Sequence, residues 1–122
     1  WEEHLNWFRN TLSGLQRKAF ILEINNIPSG QVRFDLYSSD SCVISIYLLK
    51  EFSGKGLGVE FIKRGCDKIF SEWKEVKTIH ALVRDENKTG QKAFIKAGFK
   101  EDGSYKNDLH VTFSLKRNVT QL

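Results

Sequence analysis

Ser53-Gly54-Lys55-Gly56-Leu57-Gly58 lies between an apolar run, Cys42 to Leu49, and an amphipathic stretch, Phe61 to Trp73. A glycine-rich turn that joins a strand to a helix aims several unpaired backbone N–H groups, and the positive end of the helix dipole, at one point. Glycine at 54, 56 and 58 lets the main chain approach an anion without Cβ clashes, and Lys55 adds a mobile positive charge. The chemistry such a turn serves is the holding of a phosphorylated cofactor. Spacing separates it from two familiar phosphate loops. A Walker A loop needs Lys and Ser/Thr directly after its second glycine, which this stretch does not supply. A dinucleotide fingerprint needs a further glycine where Val59 stands, and an acidic residue about twenty positions on. A glycine-rich turn without a ligand stays open at this point.

Beyond the next strand-like run, Thr78 to Arg84, come Asn87 and then Ala93-Phe94-Ile95-Lys96-Ala97-Gly98-Phe99. Taken with the Gly-Lys-Gly-Leu-Gly turn, these two segments resemble the GNAT superfamily of N-acetyltransferases. The resemblance implies that acetyl-coenzyme A is the donor and that Ser53, Gly54, Lys55, Gly56, Leu57 and Gly58 hold its pyrophosphate. It implies that Leu48 and Leu49 offer backbone hydrogen bonds to the pantetheine amides and that Asn87 orients the pantetheine or an ordered water. Lys92 would meet the outer phosphate, and Phe94 would flank the pantetheine arm.

The chain departs from the family pattern in three places. Ser53 stands where Arg or Gln is usual, so one long donor is lost. Phe94 replaces the Tyr that protonates the departing thiolate in many members, and a Phe has no proton to give. The acidic residue of the fifth strand aligns near Leu82 and is absent. Glu23, Asp35, Tyr47 and His80 are then the side chains on central strands able to take a proton. Tyr47, acting through a water, and Glu23 are the catalytic candidates.

Glu2-Glu3-His4-Leu5-x-Trp7-Phe8, a short basic loop and Gly30-Gln31-Val32-Arg33-Phe34 are similar to members that acetylate nucleotide-linked amino sugars. They are less similar to members that acetylate protein N-termini. The expected reaction is acetyl transfer to a primary amine of a small molecule. The alternatives are protein N-terminal acetylation and a non-catalytic acyl-coenzyme A-binding module, the latter favoured by Phe94 and the missing base.

The elements that must carry these residues follow from periodicity. Trp1, Leu5, Phe8 and Leu12 recur at helical spacing and predict an amphipathic helix ending near Ser13-Gly14. Ala19 to Asn25, Gly30 to Tyr37 and Cys42 to Leu49 alternate as strands, the first two joined by Asn25-Asn26-Ile27-Pro28, and predict an antiparallel meander. Phe61, Ile62, Gly65, Cys66, Ile69, Phe70 and Trp73 line one helix face, with Gly65 permitting close approach to the sheet. Thr78 to Arg84 reads as strand, Thr89 to Ala97 as helix with Gly98 at its αL cap, and Phe99 to Tyr105 with Leu109 to Leu115 as a closing hairpin. The fold class is therefore α/β, a mixed sheet with helices on both faces; the resemblance implies a GNAT-like, mainly antiparallel sheet flanked by helices, with the N-terminal strand missing or truncated. By resemblance, the parallel fourth and fifth strands splay to make the pantetheine slot.

At 122 residues the chain reads as one acetyltransferase domain, 1–122, short for its family and without Met, as a fragment would be. Its 40% apolar and 28% charged content is that of a globular domain, and no run reaches the roughly 20 apolar residues of a membrane span. The cytoplasm is the expected location. A net charge of +4, spread along the chain, suits a polyanionic cofactor better than a nucleic acid, which would call for a denser basic stripe. Cys42 and Cys66 fit core positions, and His4, His80 and His110 lie on separate elements, so neither a cysteine nucleophile nor a metal site is expected. Partners are expected to be a small amine substrate and, through the edge of the last hairpin or by fusion, a second copy or another enzyme domain.

Overall fold

The sequence alternates large apolar residues at every second position along three consecutive runs, and in the computed structural model those runs pair into one sheet. The structure describes residues 5–10, 17–49, 56–103 and 109–118. Its elements are β1 (Leu5–Asn10), β2 (Arg17–Ile24), β3 (Ile27–Leu36), β4 (Ser41–Leu48), α1 (Leu57–Glu72), β5 (Thr78–Arg84), α2 (Lys88–Lys96), β6 (Lys100–Glu101) and β7 (His110–Lys116). Across the sheet the order is β1-β2-β3-β4-β5-β7-β6. Every neighbouring pair is antiparallel except β4 and β5.

Asn25 and Asn26 both take positive φ (54° and 70°) between the paired Ile24 and Ile27, the backbone a two-residue hairpin requires and one that Asn tolerates. The expected meander is thus β2, β3 and β4. Along it Phe20, Val32, Phe34, Cys42 and Ile44 turn to one face, where they meet Ile62, Cys66, Ile69 and Phe70 of α1, while Leu22 packs with Leu57 and Phe61 at the start of that helix. A Cβ on Gly65 would lie 3.3 Å from Phe34 Cζ and Val32 Cγ1, so glycine here sets how closely α1 sits on β3. Gly30 is tighter still: a Cβ would fall 2.7 Å from the carbonyl oxygen of Tyr47.

The far end of α1 is tied down by Arg117, just past β7. Its guanidinium donates to the carbonyls of Val76 (2.8 Å), Phe70 (3.0 Å) and Trp73 (3.0 Å), consuming acceptors that a helix C-terminus leaves orphaned. At the end of α2, Gly98 (φ 105°) closes a Schellman turn: Phe99 N–H donates to Phe94 O and Gly98 N–H to Ile95 O, each at 3.0 Å.

Two expectations are corrected. The helix over Trp1 to Leu12 is, across Leu5–Asn10, a strand paired with β2 from Leu5↔Ile24 to Asn10↔Ala19. A short segment holding two aromatics gains a full ladder on the open edge of β2, whereas a helix of that length is marginal. Helices were also expected on both faces. Both described helices pack on the same face, since Phe94 of α2 stacks on Phe113, which stands in register with Ala81 and so with Ile44 and Phe34. The helix meant for the other face was the N-terminal one. The tip of the closing hairpin, Lys106-Asn107-Asp108, lies outside the described residues.

Candidate active site

The parallel pairing of β4 with β5 runs only from Ser41↔Thr78 to Ile44↔Ala81. Beyond that rung β4 continues to Leu48 and β5 to Arg84 without pairing to each other, so the sheet opens into a slot. On the helix face the slot widens into a cleft of about 380 Å³. Ile46 and Leu48 form its floor, Gly56, Gly58, Val59 and Ile62 one wall, and Asn87, Thr89, Gly90, Lys92, Ala93, Phe94 and Lys96 of α2 the other.

The α1 wall fits a phosphate on the structure's own terms. Gly56, the helix N-cap, has φ 77° and no side chain to cap the helix, so the first-turn N–H groups have no side-chain acceptor. A Cβ built on Gly58 meets nothing within 4 Å, so that position opens onto free space rather than onto packed protein. Lys92 and Lys96 add positive charge from the facing helix. Ser53, Gly54 and Lys55 lie outside the described residues.

Of the sequence-expected cofactor residues, Leu48, Gly56, Gly58, Asn87, Lys92 and Phe94 come together in this cleft. Leu57 turns inward and is buried against Leu22, Ile24 and Phe61. Leu49 donates its N–H to the carbonyl of Ser29 at 2.9 Å, so that donor faces β3. This bond straddles the Gly30↔Leu48 pair, and the alternation of an antiparallel ladder turns the N–H and C=O of Leu48 the other way, into the gap beside β5. Asn87 is the N-cap of α2: its Oδ1 accepts from Gly90 N–H at 2.9 Å. Phe94 is 4% exposed, edge-on to Phe99 at 5.0 Å and stacked on Phe113 at 6.5 Å.

Ile46, Thr89 and Lys96 were not singled out in the sequence. Their signal was present: Thr89, Lys92, Ala93 and Lys96 fall at helical spacing on one face, and Ile46 is two residues before Leu48.

Tyr47 and Glu23 do not line the cleft. They stand on the face of the sheet away from the described helices, Tyr47 63% exposed and Glu23 half-buried, because each alternates with residues that face those helices. Asp35 shares that face but is engaged: Arg17 Nε bonds one of its carboxylate oxygens and Arg33 Nε the other, the latter at 3.1 Å. His80 Nδ1 lies 3.9 Å from Asp102 Oδ2. Leu82 lies on β5, 38% exposed. Both thiols are buried; burial, with Asp35 adding to it, pushes Cys42 up to about 12, and burial drives Cys66 well above its ordinary value. Among the described residues, no three His, Cys, Asp or Glu side chains converge as a metal site would require, and no helix is long and apolar enough to cross a membrane.

Residues 1–100 match the family described as the acetyltransferase (GNAT) domain. No curated protein matches the sequence. Among solved structures, the chain is similar to the Campylobacter jejuni N-acetyltransferase PseH in complex with acetyl coenzyme A: TM-score 0.72, 19% identity, 84% of this chain and 70% of that one. It is similar to the aminoglycoside acetyltransferase AAC(6')-Ib in complex with coenzyme A, with TM-score 0.76, 20% identity, and 87% and 69% covered. It is also similar to Mycobacterium smegmatis RimJ in complex with CoA-disulfide, with TM-score 0.71, 20% identity, and 83% and 53% covered. The chain belongs to the GNAT acetyltransferase family. By that membership it is an acetyl-coenzyme A-dependent N-acetyltransferase domain that acts on amines.

Proposed function

We propose that residues 1–122 work as one domain that transfers acetyl from acetyl-coenzyme A, held in the helix-face cleft, to the primary amine of a small molecule, specifically a nucleotide-linked amino sugar, arriving from the face of the sheet away from the described helices. The observation that carries this reading is the slot itself. The end of the β4–β5 pairing at Ile44↔Ala81, beside a cleft lined by Gly56, Gly58 and Lys92, supports a cofactor site there, and the 63% exposed Tyr47 on the other face of β4 supports an acceptor on that side.

In this reading the first turn of α1, with Ser53 to Gly58, binds the pyrophosphate. Leu48 offers its main-chain N–H and C=O in the slot, and Lys92 faces the outer phosphate. Acetyl-coenzyme A supplies the activated acyl group. The chain's own residues orient the two reactants, which is worth about 7–11 kcal/mol of barrier where the geometry is good. Tyr47 Oη orients a water that takes the proton the amine must lose and passes it to solvent, and Glu23 lies on the same face. The non-catalytic alternative is favoured by one observation: Phe94 puts an apolar ring where a proton donor would stand. Release of free coenzyme A thiol on addition of amine separates the two.

The test is calorimetry of acetyl-coenzyme A with the wild type and with Gly58→Glu. Gly58 is the better site for the substitution because Gly56 has positive φ, where any side chain strains the backbone. Binding by the wild type and its loss in the variant is the expected result. Equal binding by both would place the pyrophosphate elsewhere and overturn the assignment.

A further inference from the structure

The face of the sheet away from the described helices carries two cations around one anion. Register sets Arg17 opposite Asp35 on β2 and β3, and Arg33 two residues back along β3, all on the face away from the helices. Asp35 takes the Nε of each arginine on a different oxygen. One carboxylate therefore serves two guanidiniums, and the group keeps an excess positive charge. Each arginine bonds the carboxylate through Nε, which leaves the outer edge of each guanidinium fork directed away from Asp35. The side chains are 30% and 39% exposed, enough to be reached and too little to be freely swinging chains.

The position of the group matters as much as its charge. Arg33 is in register with Ser45, the first residue of β4 beyond the last β4–β5 rung at Ile44↔Ala81. The backbone of Arg33 thus lies one strand, about 5 Å, from the mouth of the slot, with Arg17 one strand further out, and both side chains turn to Asp35, two residues along β3. Two guanidinium forks held by a shared carboxylate match the oxygens of a phosphate or pyrophosphate, which accept paired N–H donors. On the reading that the acceptor enters from this face, we infer that Arg17 and Arg33, fixed by Asp35, form the subsite for the pyrophosphate of the acceptor. The acceptor is then an amine tethered to a nucleoside diphosphate rather than a free cationic amine. Asp35 is a positioning residue in this arrangement, not a base.

The test titrates uridine diphosphate, and uridine as its phosphate-free control, into wild type, Arg33→Gln and Arg17→Gln, each with and without saturating coenzyme A, which blocks the α1 phosphate site. Arg64→Gln, a cation on the outer side of α1 paired with Glu60, controls for general charge. The expected result is uridine diphosphate binding that persists under coenzyme A and weakens at least tenfold in Arg33→Gln and Arg17→Gln. Uridine should not bind, Arg64→Gln should bind as the wild type does, and coenzyme A affinity should stay within twofold throughout. Displacement of uridine diphosphate by coenzyme A, or equal binding by Arg33→Gln, overturns the subsite while leaving acetyl transfer intact. Loss of coenzyme A binding by the wild type would instead strike at the proposed cofactor cleft, and the titration without coenzyme A still reads the subsite.

Discussion

The side-chain oxygen of Asn87 accepts the N–H of Gly90 at 2.9 Å, and a Cβ on Gly90 would sit 2.6 Å from Asn87 Nδ2. The cap and the absence of a side chain three residues on are one fit. Gln91 reinforces it by donating Nε2 to the carbonyls of Arg84 (3.1 Å) and Asp85 (2.9 Å), which fastens the start of α2 to the end of β5. Asn87→Ala should therefore lower stability by about 1 kcal/mol, while Asn87→Asp, which keeps the acceptor oxygen, should hold it. Thermal unfolding checks both. An unmoved midpoint in Asn87→Ala would refute the capping role. An Asp variant that keeps its midpoint but loses acetyl-coenzyme A affinity would show that the amide also touches the cofactor.

Buried thiols make a second expectation, about pH. Cys42 is pushed up to about 12 from an ordinary 9.0 by burial first and by Asp35 second, and Cys66 is raised by burial, by Cys42 and by Asp67. A raised value in the folded state means that unfolding releases protons once the pH passes 9.0. The thiols' contribution to stability is fully present below that pH and is lost as pH climbs above it, for Cys42 toward about 12, at up to about 1.4 kcal/mol per pH unit for each thiol. Denaturant titrations between pH 7 and pH 11 read this slope. Cys42→Ala with Cys66→Ala should flatten it, and a slope unchanged in that double variant would mean other groups set it. In the same picture, a thiol-specific disulfide reagent at pH 8 labels neither cysteine until the chain is unfolded.

How far the residues alone disclosed this molecule follows from where each signal lives. Alternation along β2, β3 and β4, the Asn25-Asn26 turn and the small residue at 65 are local, and each reappears in the fold as read. The parallel β4–β5 slot came through the family resemblance rather than through periodicity. The N-terminal helix failed because Trp1, Leu5, Phe8 and Leu12 satisfy a helical spacing that the free edge of β2 overrides. Asn87 was read as a cofactor ligand when its separation from Gly90 is equally that of an N-cap and its N3 position. The cluster of Arg17, Arg33 and Asp35 was out of reach: Arg17 and Asp35 are 18 residues apart, and only the hairpin register makes them neighbours. The direction of the Leu49 N–H is likewise a matter of ladder phase, which no side chain announces.

Phe94 offers the sharpest test of how the chain ends its reaction. Its ring is wedged against Phe99 and Phe113, and the residue also lines the cleft. Many GNAT members carry Tyr at this position as the proton donor to the departing thiolate. General-acid assistance is worth about 10²–10⁴ in rate when the donor is well placed. Phe94→Tyr should then raise kcat at least tenfold and leave the KM for acetyl-coenzyme A within twofold, measured by thiol release with an amine acceptor. The competing outcome has its own signature. If the added hydroxyl points into the Phe99–Phe113 cluster instead, it is buried without a partner at a cost of about 1–3 kcal/mol. The midpoint of unfolding would then fall with kcat unchanged, and the thiolate of this enzyme would have to leave with a proton from solvent.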